Sequence, residues 1–301
     1  MKVLFLGSSR FSKFVLQQLL DGGVNITAVI TQPDKPSGRG HKMTPTEVKV
    51  MAQEKGIEVF TFDRMRNYQD QISAIDFDIS VVASYGQILP QWFLDLRPCI
   101  NVHPSLLPKY RGASPLQSAI LNGDKETGVT IMKVAMEVDA GDIILQQKVS
   151  LDGEYYLELE EKLGNLGGQM ACEAIDFYKS VEVTFTEQDH SKAVHVSKFE
   201  KEDGLLDFLK SSTEIINRVR ALSETIGCYF YVDDMIVKVV RAEEYQGECQ
   251  AGTILENKKR FVVGTNGGAV EILQCKAPSG KTVCGQDFIN GHNEILGKKV
   301  N

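Results

Sequence analysis

The run Lys2-Val-Leu-Phe-Leu-Gly7 at the start of the chain gives the first indication of the fold class. A short, continuous apolar run of this kind is typical of a strand that is buried on both faces of a sheet. Phe11, Phe14 and Leu19 follow it at helical spacing. The same alternation predicts a helix at 46–55 and further strands at 25–30, 57–60, 78–83 and 99–102. The pattern therefore predicts a doubly wound, Rossmann-like α/β domain built on a parallel sheet.

Two changes of pattern divide the rest of the chain. Strands and a long helix continue the first domain, at 129–134, 143–149 and 155–178. After a polar stretch and one helix at 212–222, short strands separated by turn residues are predicted at 228–232, 236–242, 252–255, 260–264 and 269–276. Such spacing is typical of a small β-barrel or sandwich. We therefore expect a first domain at 1–189, a linker at 190–206 and a second domain at 207–301.

Composition places the chain among ordinary globular proteins. Its 301 residues are 43% apolar and 24% charged, a balance that excludes a disordered chain, a collagen-like fibre and a coiled coil. No apolar run approaches the roughly 18 residues of a membrane span, and the N-terminal run is too short for a signal peptide. The six cysteines show no CxxC spacing, which predicts reduced thiols, no metal site and a cytoplasmic protein.

The net charge of −7 argues against a nucleic-acid partner unless positive charge is concentrated locally. Residues 206–301 carry 12 Lys and Arg against 12 Asp and Glu, so the second domain is neutral. The Pro- and Gly-rich stretch 31–45, here named the basic arm, is either a solvated surface loop or a flexible arm for phosphate. Its charged residues and its histidine are Asp34, Lys35, Arg39, His41 and Lys42.

The segment Ile100-Asn-Val-His-Pro-Ser-Leu-Leu-Pro-Lys-Tyr-Arg-Gly112 carries the strongest indication of chemistry. Asn101 and His103 are two residues apart at the end of a predicted strand, so both side chains point to one face, at the edge where this fold class binds ligands. An asparagine amide can donate to a developing oxyanion, and a histidine can accept a proton near neutral pH. Taken alone, His103 is better explained as a hydrogen-bonded core residue, and its pairing with Asn101 narrows the choice without deciding it.

Two carboxylates, Asp139 and Asp142, flank Ala140-Gly141 just before a predicted strand. One of them could orient His103 and stabilise its imidazolium, and the alternative is a turn between two strands. The first βα turn, at 7–11, has a single glycine and lacks the GxGxxG pattern of dinucleotide sites. A dinucleotide cofactor is therefore disfavoured, in spite of the fold class.

At these residues the sequence resembles the folate-dependent formyltransferases, and among them most closely the methionyl-tRNA formyltransferases. The segment Asn101 to Gly112 is similar to the family signature, and Asp139 lies where the family has its catalytic aspartate. The likeness continues at 33–40, 84–90, 122–130, 201–204 and 286–291. The resemblance thus covers nearly the whole chain and is more specific for formyl transfer than for the acceptor.

The resemblance implies that a primary amine attacks the formyl carbon of 10-formyltetrahydrofolate, a co-substrate, without a metal. Asn101, His103 and Asp139 would be catalytic. Asn101 would bind the carbonyl oxygen as it gains charge, and His103, oriented by Asp139, would stabilise that charge and assist proton movement. The residues lining the folate site would be Tyr85, Gly86, Gln87, Ile88, Leu89, Ser105, Leu106, Leu107, Pro108 and Asp142.

The resemblance also implies an acceptor, the amino group of methionyl-initiator-tRNA, which is formylated for translation initiation. Lys35, Arg39 and Lys42 of the basic arm would contact the tRNA, and an OB-like second domain would dock it. We expect a monomer. Two alternatives remain open: an N-formyltransferase acting on a nucleotide-linked amino sugar, which would not need the arm, and a module that binds folate or RNA without turnover.

Overall fold

The computed structural model describes residues 1–37, 42–179, 183–255, 257, 259–276 and 280–300. The chain forms two compact units. The first contains Met1–Pro115, Glu126–Ser150 and Glu158–Val196, and the second contains Leu116–Lys125, Leu151–Leu157 and Ser197–Asn301. The predicted boundaries at 1–189, 190–206 and 207–301 stay a prediction.

Strands and helices alternate along the first half of the chain. The first eleven elements are β1 (Lys2–Gly7), α1 (Arg10–Asp21), β2 (Asn25–Thr31), β3 (Lys35–Ser37), β4 (Lys42–Thr44), α2 (Glu47–Glu54), β5 (Glu58–Thr61), α3 (Gln69–Ser73), β6 (Ile79–Ala83), α4 (Gln91–Leu94) and β7 (Cys99–His103). The next six are β8 (Arg111–Gly112), α5 (Pro115–Leu121), β9 (Glu126–Lys133), β10 (Ile143–Ser150), α6 (Tyr156–Lys179) and β11 (His195–Val196).

A seven-stranded sheet of order β10-β9-β7-β6-β1-β2-β5 forms the core of the first unit. The five strands from β7 to β5 are parallel, and β1 lies among them with Val3, Leu4, Phe5 and Leu6 fully buried. The prediction of a Rossmann-like α/β domain is therefore confirmed. The sequence did not predict that β9 and β10 continue the sheet as an antiparallel edge. The carboxyl ends of the five parallel strands meet at one edge, which is where the candidate site lies.

The basic arm differs from the open loop that its Pro and Gly content predicts. β3 and β4 pair in antiparallel fashion, with Lys35 opposite Thr44 and Ser37 opposite Lys42. Side chains alternate along a strand, so Lys35 and Lys42 lie on the same face of this pair. Proline is tolerated there because a two-stranded ladder has free edges on both sides.

The second unit is mainly antiparallel. Its elements after residue 197 are α7 (Ser212–Leu222), β12 (Cys228–Val232), β13 (Met235–Glu244), β14 (Val262–Thr265), β15 (Gly268–Lys276), β16 (Thr282–Cys284) and α8 (Gly285–Gly291). The strand order is β12-β13-β15-β14, with β16 on β15, which confirms an antiparallel β domain after the α/β domain. The strand predicted at 252–255 contributes only isolated bridges.

Local chemistry explains why α7 begins where the sequence predicts. The Ser211 hydroxyl accepts from the backbone N–H of Glu214, and the Glu214 carboxylate accepts from the backbone N–H of Ser211. This reciprocal capping satisfies two donors that a helix start otherwise leaves unpaired.

Among the described residues, no helix combines the length and the apolar character that a bilayer crossing requires.

Candidate active site

Asn101 and His103 lie on β7 at the carboxyl edge of the sheet. Asn101 is half-buried and pairs with Val82 of β6 on one side and with Met132 of β9 on the other. His103, two residues further on, is only 4% exposed. The strand period of two places both side chains on one face of the sheet. Their position follows directly from the predicted strand.

Asp139 reaches this face through the loop that follows β9. Its backbone has a φ of 53°, in the left-handed region that non-glycine residues seldom adopt. Gly141 follows at a point where the chain folds back on β9, since a Cβ there would lie 1.8 Å from the Lys133 carbonyl oxygen. The Lys133 N–H donates to the Asp142 carbonyl oxygen at 2.9 Å. The loop is thus closed against β9 and returns the Asp139 carboxylate toward β7.

The three predicted catalytic residues meet at one carboxylate. The Asn101 amide nitrogen donates to Asp139 Oδ1 over 3.4 Å, and His103 Nδ1 lies 3.5 Å from Asp139 Oδ2. The backbone N–H of Gly112 donates to the same Oδ2 at 2.8 Å. Both oxygens of Asp139 therefore have a partner. The end of β7, the loop after β9 and Gly112, the last residue of the signature segment (residues 101–112), are brought together at this point.

The second nitrogen of His103 determines how the ring is held. Nε2 lies 2.9 Å from the carbonyl oxygen of Tyr110, which can only accept, so Nε2 carries a proton. Nδ1 is then the nitrogen that faces Asp139. When Nδ1 is also protonated, the imidazolium has an acceptor on each side. His103 is thus a hydrogen-bonded buried residue and also a member of the polar cluster.

The signature segment is held by its own polar groups. The Ser105 hydroxyl donates to the Lys109 carbonyl at 2.6 Å, and Ser105 is fully buried. The Thr130 hydroxyl donates to the Ser105 carbonyl at 2.7 Å and accepts from the Leu107 N–H at 3.2 Å. Ser105 and Leu107 therefore fix the segment from inside. The predicted folate residues that remain partly accessible on it are Leu106 and Pro108.

The second predicted folate segment, 85–89, follows β6 and so lies beside β7. The side chains of Tyr85 and Gln87 are turned inward: Tyr85 is 2% exposed, and the Gln87 amide bridges Met65 N and Phe62 O at 2.7 Å each. Burial raises the pKa of the Tyr85 phenol above its ordinary range. The Ile88 side chain is 78% exposed, and Leu89 is buried. Within the described residues, the backbone N–H groups of 86–89 donate no hydrogen bond.

The other predicted site residues that the structure describes are Asp142, Lys35 and Lys42. Asp142 is partly buried, two residues beyond Ala140. Lys35 and Lys42 are exposed on the β3–β4 pair. Arg39 lies outside the described residues.

Sequence reasoning missed several polar partners of the site. Thr130 is a fully buried polar residue in the apolar strand β9, and this break in an apolar pattern was the signal that could have revealed it. Gln146 donates to the Leu107 carbonyl at 3.0 Å from the edge strand β10. Gln188 and His190 contact Arg111, and nothing in the sequence pattern of 183–196 pointed to them.

Comparisons with known proteins identify the family of the chain. Residues 1–175 match the family described as formyl transferase, and residues 198–293 match formyl transferase, C-terminal domain. A methionyl-tRNA formyltransferase from Campylobacter curvus (strain 525.92) is 37% identical over 305 residues, a match that covers 100% of both chains. The chain belongs to the methionyl-tRNA formyltransferase family. The resemblance that the signature predicted is therefore confirmed, and with it an enzyme of formyl transfer.

Solved structures of other proteins have the same fold as this chain, at a lower sequence identity than the methionyl-tRNA formyltransferase above. HypX from Aquifex aeolicus, in complex with tetrahydrofolic acid, has a TM-score of 0.66 at 17% identity, and the match covers 98% of this chain and 48% of HypX. The chain thus spans about half the length of HypX. The N-formyltransferase from Helicobacter canadensis, in complex with folinic acid and dTDP-3-aminofucose, has a TM-score of 0.67 at 18% identity. The match covers 90% of this chain and 98% of that enzyme. These identities support the fold alone.

Proposed function

We propose that the chain transfers the formyl group of 10-formyltetrahydrofolate to the free amino group of methionyl-initiator-tRNA, for translation initiation. The full-length match to a methionyl-tRNA formyltransferase supports the acceptor. The observation that carries the chemistry is the meeting of Asn101, His103 and Asp139 at one carboxylate. The amino-sugar alternative has only the likeness of fold to support it.

Asn101 is the donor to the formyl oxygen in this proposal. A primary amide nitrogen has two hydrogens, and the one given to Asp139 fixes the orientation of the amide. The second hydrogen is free to meet the formyl oxygen as negative charge develops on it. A donor already aimed at that position needs no reorganisation when the amine attacks, which is the source of oxyanion stabilisation.

His103 and Asp139 manage the proton. The amine nitrogen attacks the formyl carbon, a tetrahedral intermediate forms, and the bond from that carbon to N10 of the folate then breaks. One proton leaves the attacking nitrogen and one reaches N10, so the exchange balances. His103 Nδ1 is the ring position that can exchange a proton, since Nε2 is held by Tyr110. Asp139, held by the Gly112 N–H, stabilises the imidazolium.

The folate would lie across the ends of β6 and β7. A planar heterocycle with several hydrogen-bonding edges needs directed donors and an apolar wall. The N–H groups of Gly86, Gln87, Ile88 and Leu89 supply donors that have no partner among the described residues. The accessible surfaces of Ile88, Leu106 and Pro108 supply an apolar wall, and Asp142 lies beyond Asp139 on the same loop. Together with the inward-facing Tyr85, Ser105 and Leu107, these residues form the proposed folate site.

The basic arm would contact the acceptor end of the tRNA. Lys35 and Lys42 lie on one face of the β3–β4 pair, which follows β2 in the chain. Together with Arg39 they would meet phosphates, whose contacts position a nucleic acid without reading its sequence. The second unit would dock the body of the tRNA. We further propose that the enzyme is a cytoplasmic monomer.

Incubation of the purified chain with charged initiator tRNA and 10-formyltetrahydrofolate tests the proposal. We expect N-formylmethionine after hydrolysis of the tRNA, and formation of this product roughly 10²–10³-fold more slowly with His103→Ala at the same enzyme concentration. A 4-amino sugar nucleotide in a parallel reaction tests the rival acceptor. Formylation of the sugar and not of the tRNA would overturn the proposed acceptor, and the absence of both products would overturn formyl transfer. Size-exclusion chromatography with light scattering measures the molar mass in solution and so tests whether the enzyme is a monomer.

A further inference from the structure

A buried polar pair, Arg111 and Gln188, lies next to the cluster at Asp139. Arg111 is 1% exposed and Gln188 is 3% exposed. Arg111 Nε and Nη2 both donate to Gln188 Oε1, at 3.1 and 2.8 Å. Nη1 lies 3.4 Å from Glu137 Oε1, and Nη2 lies 3.1 Å from His190 Nδ1. A buried guanidinium is tolerated only when its donors are satisfied, and Gln188 accepts two of them.

The other end of the Gln188 side chain holds the Asp139 loop. Its Nε2 donates to the carbonyl oxygens of Asp139 and Gly141, at 2.9 and 2.7 Å. The amide can adopt only this orientation, because reversing it would place its NH₂ against the guanidinium and its oxygen against two carbonyls. Gln188 is therefore a rigid connection between a buried charge and the backbone of Asp139.

This connection acts at a strained point. The φ of 53° at Asp139 is a strained conformation for a non-glycine residue, so the loop needs external contacts to keep it. The two hydrogen bonds from Gln188 hold the carbonyl oxygen of Asp139 itself and that of Gly141, two residues further along the loop. Together with the backbone bond between Lys133 and Asp142, they hold the loop that places the carboxylate where Asn101 Nδ2, His103 Nδ1 and Gly112 N converge.

The segment that carries Gln188 also binds the signature segment from the other side. Arg111 N donates to Val194 O at 2.8 Å, Ala113 N to Val196 O at 3.0 Å, and Val194 N to Pro108 O at 3.2 Å. β11 pairs in parallel with β8, and Gly112 is required there because a Cβ would lie 2.3 Å from Val196 O. One segment, 188–196, thus holds both the signature segment and the Asp139 loop.

We propose that Gln188 is a positioning residue for formyl transfer, acting through Asp139, and that Arg111 fixes its orientation. This proposal rests on the proposed function because the reaction whose rate should fall is formyl transfer. The hydrogen bonds by which Gln188 holds the Asp139 loop do not depend on that function. Gln188 does not touch the reacting atoms. Its loss should lower the rate of the chemical step and leave the binding of folate and tRNA in place, because the folate segments and the basic arm keep their own contacts.

Gln188→Glu is the most informative variant. The carboxylate keeps the size of the side chain and its pairing with Arg111, but it accepts where the carbonyls of Asp139 and Gly141 need a donor. We expect kcat to fall by about 10- to 100-fold, since a displacement of about 1 Å in a catalytic group costs on the order of 100-fold. KM for both substrates should stay within about twofold. Gln71→Glu, the same change at an exposed position of α3, is the matched control and should leave kcat unchanged.

A double variant protects the test against a folding defect. Arg111→Met with Gln188→Met replaces both partners of the buried pair by apolar chains of similar length, which is often neutral for stability. It removes the same donors to the Asp139 loop and should reduce kcat as much as Gln188→Glu does. A folded Gln188→Glu or double variant with wild-type kcat, or with a change in KM alone, would overturn the positioning role.

The ring of His103 supplies a measurement that needs no substrate. We expect its ¹H–¹⁵N imidazole signals, assigned by their loss in His103→Ala, to shift in Gln188→Glu and to stay in place in Gln71→Glu. Unchanged His103 signals in folded Gln188→Glu would overturn the proposal even if the wild type forms no formylmethionyl-tRNA. Shifted signals in an enzyme without that activity would instead support the positioning role while the proposed acceptor fails.

Discussion

The cluster at Asp139 and the basic arm lie on the same unit but are built in opposite ways. Beside Asp139 the polar side chains of His103, Arg111 and Gln188 are almost fully buried, and each has a hydrogen-bond partner. In the basic arm, Lys35 and Lys42 stand exposed on a two-stranded pair. Groups that act on a reacting carbon must be fixed by packing, whereas charges that meet phosphate act over several ångströms and tolerate movement. The difference separates catalysis from acceptor binding and can be tested region by region.

Substitutions in the buried cluster should have the largest effect. We predict that Asn101→Ala or His103→Ala lowers the rate of formyl transfer by roughly 10²–10³-fold, the usual cost of an oxyanion donor or a positioned acid or base. Folate affinity should change little, because neither side chain lies in the proposed folate segments. Single-turnover kinetics and equilibrium folate binding measure the two quantities. A large loss of folate affinity would show instead that these residues are structural.

Substitutions in the arm should weaken binding and leave the chemical step alone. We predict that Arg39→Ala or Lys42→Ala reduces tRNA affinity and makes its dependence on salt shallower, by about 0.9 in the log–log slope for each phosphate that the variant no longer neutralises. Lys55→Ala, an exposed lysine that follows α2, is the control. Affinities measured between about 50 and 200 mM salt give the slope. An unchanged slope in both arm variants would remove the arm from the tRNA interface.

The reactivity of the cysteine thiols allows buried positions to be compared with an exposed one. Burial raises the pKa of the Cys99, Cys228 and Cys275 thiols to about 12, so their reactive thiolates are absent at pH 8. We predict that iodoacetamide at pH 8 modifies the exposed Cys284 and leaves these three intact until the protein is unfolded. Mass spectrometry of the alkylated peptides reads the result. Modification of Cys99 in the folded enzyme would contradict the packing of β7 against β6.

The smallest expected effect comes from Asp189, which is exposed beside Gln188. Hydrogen bonds from Lys192 and Ser191 hold the pKa of the Asp189 carboxyl at about 2, below its ordinary 3.8. A carboxyl whose pKa is lowered by folding stabilises the fold above pH 3.8 and loses that contribution as the pH falls through about 2. Asp189→Asn should therefore lower the thermal midpoint slightly at pH 6 and by a smaller amount at pH 2. Equal differences at both pH values would show that the charge is not the cause.

Much of the fold could be predicted because its patterns are local. The apolar run of β1 and the alternation in β12 follow from which face of a strand is buried, and the Ser211–Glu214 capping box marks the start of α7. The antiparallel edge formed by β9 and β10 was missed because an apolar strand has the same pattern in either direction. The β3–β4 pair was missed because a proline-containing edge strand resembles a loop.

The candidate site divides in the same way. Asn101 and His103 could be placed on one face from the strand period alone, and the signature made their chemistry recognisable. The partners of Arg111 could not be placed from the sequence, because Gln188 is 77 residues away and its segment carries no periodicity.

The buried strands, the side chains at their carboxyl ends and the family of the chain could all be read from the amino-acid sequence. The hydrogen bonds that Asp139 accepts from Asn101 and Gly112, 38 and 27 residues away, and the contact of Gln188 with its backbone became visible only in the folded chain. Burial pattern is a property of neighbouring residues, whereas a hydrogen-bond partner across such separations depends on strand order and on how two loops pack together.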